Sequence, residues 1–316
     1  MKGALDVTRS AALAAGLFLL GGLVPVLGAA AMLCAPAPIL IYGLDGPRPY
    51  WRIASALSLA GLAIGLVAGP VQALGFALTM GVATVVIAAL IERRWSCEWI
   101  VFTATAAMLA ACTTALLVWA GSPIQLARQF HDFVAMAMSH SAGLYEKIGM
   151  SQAQSKELSD QVLDITTWLS PALVASVGAL TILINLGLAA RWLGKEKIGY
   201  QVFSGLVTWR TPEWLIWLLL ATGFGMFIPV APARLAASNG FVVVASVYFL
   251  QGLAIMAYYL QMLAMPRVVR GMIYLIAMLQ PVLAALVCLA GIFDMWIDFR
   301  RLKPPSQEAG SLDDFF

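Results

Sequence analysis

Charge is what this sequence has least of. Only 11% of its 316 residues are Asp, Glu, Lys or Arg, against about 25% in a soluble domain. With 61% hydrophobic residues and a mean hydropathy of +0.88, this excludes a water-soluble globule built round one core. The net charge of +3 is small and spread along the chain, which excludes nucleic acid as a partner. Metal and redox patterns are missing too. Cys34, Cys97, Cys112 and Cys288 lie far apart, form no CxxC or CxxH, and read as small apolar residues. The two histidines, His131 and His140, have Asp132 beside them but lack ligand spacing, so no metal is expected. No P-loop, GxSxG, HExxH or Gly-rich dinucleotide fingerprint occurs. The expectation is a protein with no enzymatic chemistry of its own and no cofactor.

What is present is a set of charge-free runs: residues 10–44, 53–91, 99–127, 165–190, 214–233, 235–266 and 271–293. About 20 apolar residues cross the hydrocarbon as a helix, and only a helix satisfies its own backbone there. The second run is cut by Gly69-Pro70, a turn signal, and reads as a helical hairpin. The pattern therefore predicts an all-α polytopic transmembrane bundle of eight spans. It becomes nine if the first run, which contains Pro25, Pro36 and Pro38, passes twice rather than as one span and a broken re-entrant piece. The ten tryptophans fall at or near the ends of these runs, as an aromatic belt at headgroup level requires. If the first run passes twice, the loops around Arg48/Arg52, Arg93/Arg94, 191–210 and Arg267/Arg270 carry the basic excess. Positive-inside then makes them cytoplasmic and puts the loop 121–165 outside.

Four segments follow: N-terminal transmembrane helices over 1–120, an amphipathic helical hairpin over 121–165, C-terminal transmembrane helices over 166–300, and a polar, disordered tail over 301–316. In the hairpin, Leu126, Phe130, Phe133, Val134 and Met138 share one helical face, and Ser151 is placed to cap a second arm.

No charge lies deep in any run, which argues against an ion pump built on a buried carboxylate. The polar residues at depth are amides. Asn185, Gln251, Gln261 and Gln280 need partners in lipid and should face the bundle interior, as interhelical bonds or as the lining of a small-molecule cavity. Small residues repeat every fourth position at Gly61, Gly65 and Gly69 and at Ala11/Ala15 and Ala12/Gly16, a spacing that lets helices approach closely.

The last run ends "LAGIFDMWIDFRR". A belt Trp296 followed by arginines is an ordinary exit from lipid, since arginines snorkel. Asp294 precedes that Trp and carries the costlier charge. It is expected to be a buried latch paired with Arg301 or a loop arginine such as Arg93 or Arg267, with Asp298 and Arg300 more exposed.

The stretch "SNGFVVVASVYFLQGLAIMAYYL", followed by this ending, resembles the YybS-like family of bacterial membrane proteins through Asn239, Gln251-Gly252 and Gly291…Asp294…Asp298-Phe299-Arg300. The small-residue first span and "PAPILIYGLDG" are similar, over about residues 1–120, to substrate-binding S components of energy-coupling-factor vitamin transporters, and more remotely to the cell-shape protein MreD. The resemblance implies a multi-pass protein of the bacterial cytoplasmic membrane. It would be surrounded by membrane lipids and act with a partner membrane protein or a separate ATPase. Its role would be small-molecule binding or transport, or alternatively a scaffold for cell-envelope machinery.

Overall fold

A computed structural model describes residues 2–23, 25–122, 152–194 and 209–300, with seven further positions between 125 and 136. Its regular structure there is helical throughout: α1 (Lys2–Leu23), α2 (Pro25–Leu33), α3 (Pro36–Leu44), α4 (Pro49–Ala68), α5 (Pro70–Phe76), α6 (Val82–Glu92), α7 (Cys97–Ala120), α8 (Gln152–Leu193), α9 (Leu215–Gly225), α10 (Ala231–Met262), α11 (Arg267–Leu279) and α12 (Pro281–Ile297). A π-helical turn, Ala77–Gly81, joins α5 to α6. The helices group into two compact units, Met1–Phe203 and Ser204–Phe316.

Six described helices are long and apolar enough to cross a membrane, and a seventh span results if the bent pair α11–α12 counts as one. The count falls below eight for identifiable reasons. The run 214–233 yields only the eleven-residue α9, about 16 Å long and roughly half the hydrocarbon thickness. The run 271–293 is not one straight span. Pro281 ends the preceding helix at Gln280, and α11 and α12 meet there at 99°. The first run gives one long helix followed by two nine-residue helices, and its second part, Gly28–Leu44, is apolar but shorter than the six spans.

Packing in the first unit follows small residues. Lipid tails are as apolar as Leu, so helices associate through close contact rather than through the hydrophobic effect. Ile53, Ala56, Ala60 and Ile64 form the buried stripe of α4 and meet Ala11, Ala14 and Ala15 of α1 with Ile182, Leu186 and Ala189 of α8 in one core. The Ala11/Ala15 face is packed. Among the described residues Gly16 and Gly61 border open space, while a Cβ on Gly65 would lie 3.5 Å from the Ala73 side chain. The hairpin bends at Gly69, whose φ of 95° suits glycine. The arm beginning near 151 is not a separate hairpin helix: α8 runs unbroken for 42 residues through Pro171. Ser151, His140 and most of the first arm lie outside the described residues.

In the second unit, α9 and α10 form an antiparallel pair. A Cβ on Gly225 would lie 2.8 Å from the Ala237 side chain, and one on Gly240 would lie 2.9 Å from Thr222. Against α10 lies α12, and their contacts rise together along both helices. Cys288 Sγ donates to Ala245 O at 3.4 Å, and Gly291 meets Tyr248. Gln251 bonds Asp294, and Tyr259 bonds Phe299. The two helices therefore run parallel, and 263–280 returns the chain between them. A Cβ at Gly252 would stand 1.9 Å from Val287 O, and one at Gly291 would stand 2.0 Å from Tyr248 O. Only glycine at both places lets the backbones approach this far.

Candidate functional site

That glycine crossing brings Gln251 of α10 against the end of α12. Helix α12 stops at Ile297 because Asp298 takes a left-handed conformation, φ 48° and ψ 60°. The chain then turns back, and Arg300 Nη2 donates to Asp294 Oδ2 at 2.8 Å. Both side chains of this ion pair are completely buried. Asp294 Oδ2 also accepts from Gln251 Nε2 at 3.0 Å, and its Oδ1 accepts from Phe299 N at 3.0 Å.

The other half of the cluster is the non-helical segment ahead of α9. Thr211 donates to Gln251 Oε1 through its backbone N at 3.0 Å and through its hydroxyl. Arg300 Nη1 donates to Trp209 O at 2.9 Å, and Arg210 Nη2 is ion-paired to Asp298 Oδ1. The physical logic is backbone satisfaction. A segment leaving helical geometry exposes N–H and C=O groups that lipid cannot bond. Here Gln251 and Arg300 bond them.

The depth of the cluster follows from α10. Any 20 consecutive residues drawn from the charge-free run 235–266 include Gln251. At least three residues, about 5 Å, separate it from either end. Gln251, and with it Asp294 and Arg300, therefore lies within the hydrocarbon level of its own helix. On insertion scales an unpaired Asp or Arg at a helix centre costs about 3 kcal/mol, and the pairing offsets such a cost.

Beside the pair is a cavity of about 40 Å³ lined by Arg210, Thr211, Tyr248, Gln251 and Asp294, among others. That volume holds about one water molecule. Tyr248 is 1% exposed, and among the described residues its hydroxyl has no hydrogen-bond partner, nor does Arg210 Nε.

The structure thus brings together Gln251, Asp294, Asp298 and Arg300. Arg300 is buried rather than exposed, and Asp294 pairs with it rather than with Arg93 or Arg267. Arg301 lies outside the described residues. Asp298 is partly buried against Arg210. Gln261 and Gln280 are exposed, not interior. Gln280 sits at the joint of the α11–α12 bend, where Pro281 turns it off a helix face. Asn185 belongs to the first unit and is fully buried. Its Nδ2 donates to Thr181 O at 2.6 Å and to Leu33 O at 2.7 Å, a carbonyl freed where α2 breaks from α3. Arg210, Thr211 and Tyr248 were not anticipated. Pro212, just ahead of an apolar run, was the available signal for non-helical backbone. His131 Nδ1 lies 3.7 Å from Asp132 Oδ1, and no group of three metal-ligating side chains occurs among the described residues.

These features define an all-α polytopic membrane protein with a charged cluster on broken helices. The chain belongs to the family described as "Predicted membrane protein (DUF2232)", which it matches over residues 12–295, nearly its whole length. The match agrees with the membrane class but carries neither the YybS-like name nor the S-component and MreD likenesses. No curated protein and no solved structure matches the chain.

Proposed function

We propose that this protein is a small-molecule binding or transport subunit of the bacterial cytoplasmic membrane that acts with partner proteins. The observation carrying this reading is the joining of a half-length helix, an unwound segment and a buried Asp294–Arg300 pair at hydrocarbon depth. Transporters build substrate and coupling-ion sites from discontinuous helices near the bilayer midplane, and ionisable residues inside a membrane mark such sites. A cavity the size of one water is too small for an organic ligand. In this reading the arrangement is a closed state, and Gln251, Tyr248 and Arg210, which line the cavity, would meet the ligand once it widens. A separate ATPase or coupling membrane protein then supplies the energy, as the S-component resemblance of residues 1–120 implies.

A second reading is favoured by the three hydrogen bonds that hold the Asp294 carboxylate: the cluster is a staple holding a scaffold for cell-envelope machinery, as in MreD-like proteins. Native mass spectrometry of the purified protein separates the two. A retained small molecule that is lost in Gln251→Leu but kept in Gln280→Leu, together with a co-purified ATPase, is the expected result. No retained molecule, with envelope-synthesis proteins co-purifying, would leave the scaffold.

A further inference from the structure

At one end of the first unit, the α3–α4 turn, the α6–α7 turn and the end of α8 meet. They enclose an open pocket of about 290 Å³ lined by Leu44, Gly46, Ile91, Glu92, Arg94 and Leu193 among others. Five arginines belong to these segments (Arg48, Arg52, Arg93, Arg94, Arg191), against the carboxylates Asp45, Glu92 and Glu98. The Arg52 guanidinium is fixed: its Nε donates to Tyr42 O at 2.9 Å, and it stacks 3.9 Å over the Tyr42 ring. A Cβ on Gly46 would stand 2.6 Å from this guanidinium, so the pocket wall at Gly46 is also the Arg52 contact. Arg48 and Arg94 both hold left-handed backbone, at φ 60° and 57°, a conformation that costs an arginine what glycine would avoid.

The same end carries exposed Trp51, Trp95, Trp99 and Trp192. Exposed indoles grouped at helix ends mark the headgroup level. The pocket therefore opens where lipid phosphates lie, with apolar Leu44, Ile91 and Leu193 on its wall and a basic excess around it.

We propose that this pocket is a site for the phosphate-bearing headgroup of an anionic phospholipid, with Arg94 as its principal cation and Arg52 as a fixed second one. Basic pockets between membrane helices take such headgroups. The proposal is independent of the cluster in the second unit.

The test is native mass spectrometry of wild-type protein from mixed phosphatidylglycerol–phosphatidylcholine nanodiscs, repeated with Arg94→Gln and with Arg9→Gln, a charge loss on α1. The expected result is preferential retention of phosphatidylglycerol by wild type. Arg94→Gln should lower it about fivefold, the equivalent of about 1 kcal/mol per arginine near a membrane surface, and Arg9→Gln should leave it unchanged. Equal retention of both lipids by wild type overturns the proposal without reference to any variant. Equal losses in the two variants overturn it in favour of diffuse surface charge. Displacement of the lipid by inorganic phosphate alone overturns it in favour of a free-anion site. Melting of each variant in phosphatidylcholine checks that it is folded.

Discussion

Asp294→Asn is the most decisive perturbation. The substitution keeps the shape of the side chain and removes its charge, taking from the Arg300 guanidinium the buried carboxylate it is paired with. Asp294 holds bonds from Arg300, Gln251 and Phe299 N at 2.8, 3.0 and 3.0 Å, and both charged side chains are fully buried. Breaking a buried pair by removing one partner costs about 3–5 kcal/mol, mostly the penalty of the stranded charge. Isolated interhelical hydrogen bonds in membranes average only about 0.6 kcal/mol, so the two explanations differ severalfold. Reversible unfolding in mixed micelles, followed by tryptophan fluorescence, measures the difference. Asp294→Asn is expected to lose at least about 3 kcal/mol. Asp298→Asn, whose carboxylate is only partly buried, should lose about 1 kcal/mol or less, as for partly solvated pairs. Asp294→Leu with Arg300→Leu should recover much of the single-variant loss, because no charge is then stranded. A loss below about 1 kcal/mol for Asp294→Asn would refute the buried charged pair.

Gly291→Ala should sharply reduce folded protein, because its Cβ would meet Tyr248 O at 2.0 Å. Gly271→Ala borders open space and should gain about 0.5–1 kcal/mol from helix propensity; fluorescence-detected gel filtration compares the two. Asn185→Leu should cost about 1–2 kcal/mol, since it abandons the Leu33 carbonyl. Gln280→Leu, exposed at the bend, should stay within about 0.5 kcal/mol of wild type by the same unfolding assay. For orientation, an engineered Ser155→Cys should react with an impermeant maleimide on intact cells, and Gly199→Cys only after permeabilisation. The reverse pattern would overturn cytoplasmic placement of the arginine-rich loops.

The sequence by itself determined the membrane class and the helical architecture, because the scarcity of charge admits no aqueous core and lipid admits no unpaired backbone. It also located the Gly69-Pro70 hairpin, which rests on local backbone chemistry. The residues Gln251-Gly252, Gly291 and Asp294 could be singled out from the chain, but their assembly could not be read there. Helical spacing put Arg301 beside Asp298. That spacing lapses once α12 ends at Ile297 and Asp298 turns left-handed, and Arg300 is the residue that swings back to Asp294. The level of the pair is set by where Asp294 docks on α10, which Trp296 alone does not give. The short run before α10 looked like a span because hydropathy counts residues without knowing where a helix begins. Only the tertiary structure decided these points. Two glycines let α10 and α12 run parallel at backbone contact, and that register places a charged pair from one end of the sequence opposite an unwound segment, with bonds between residues 88 and 91 positions apart.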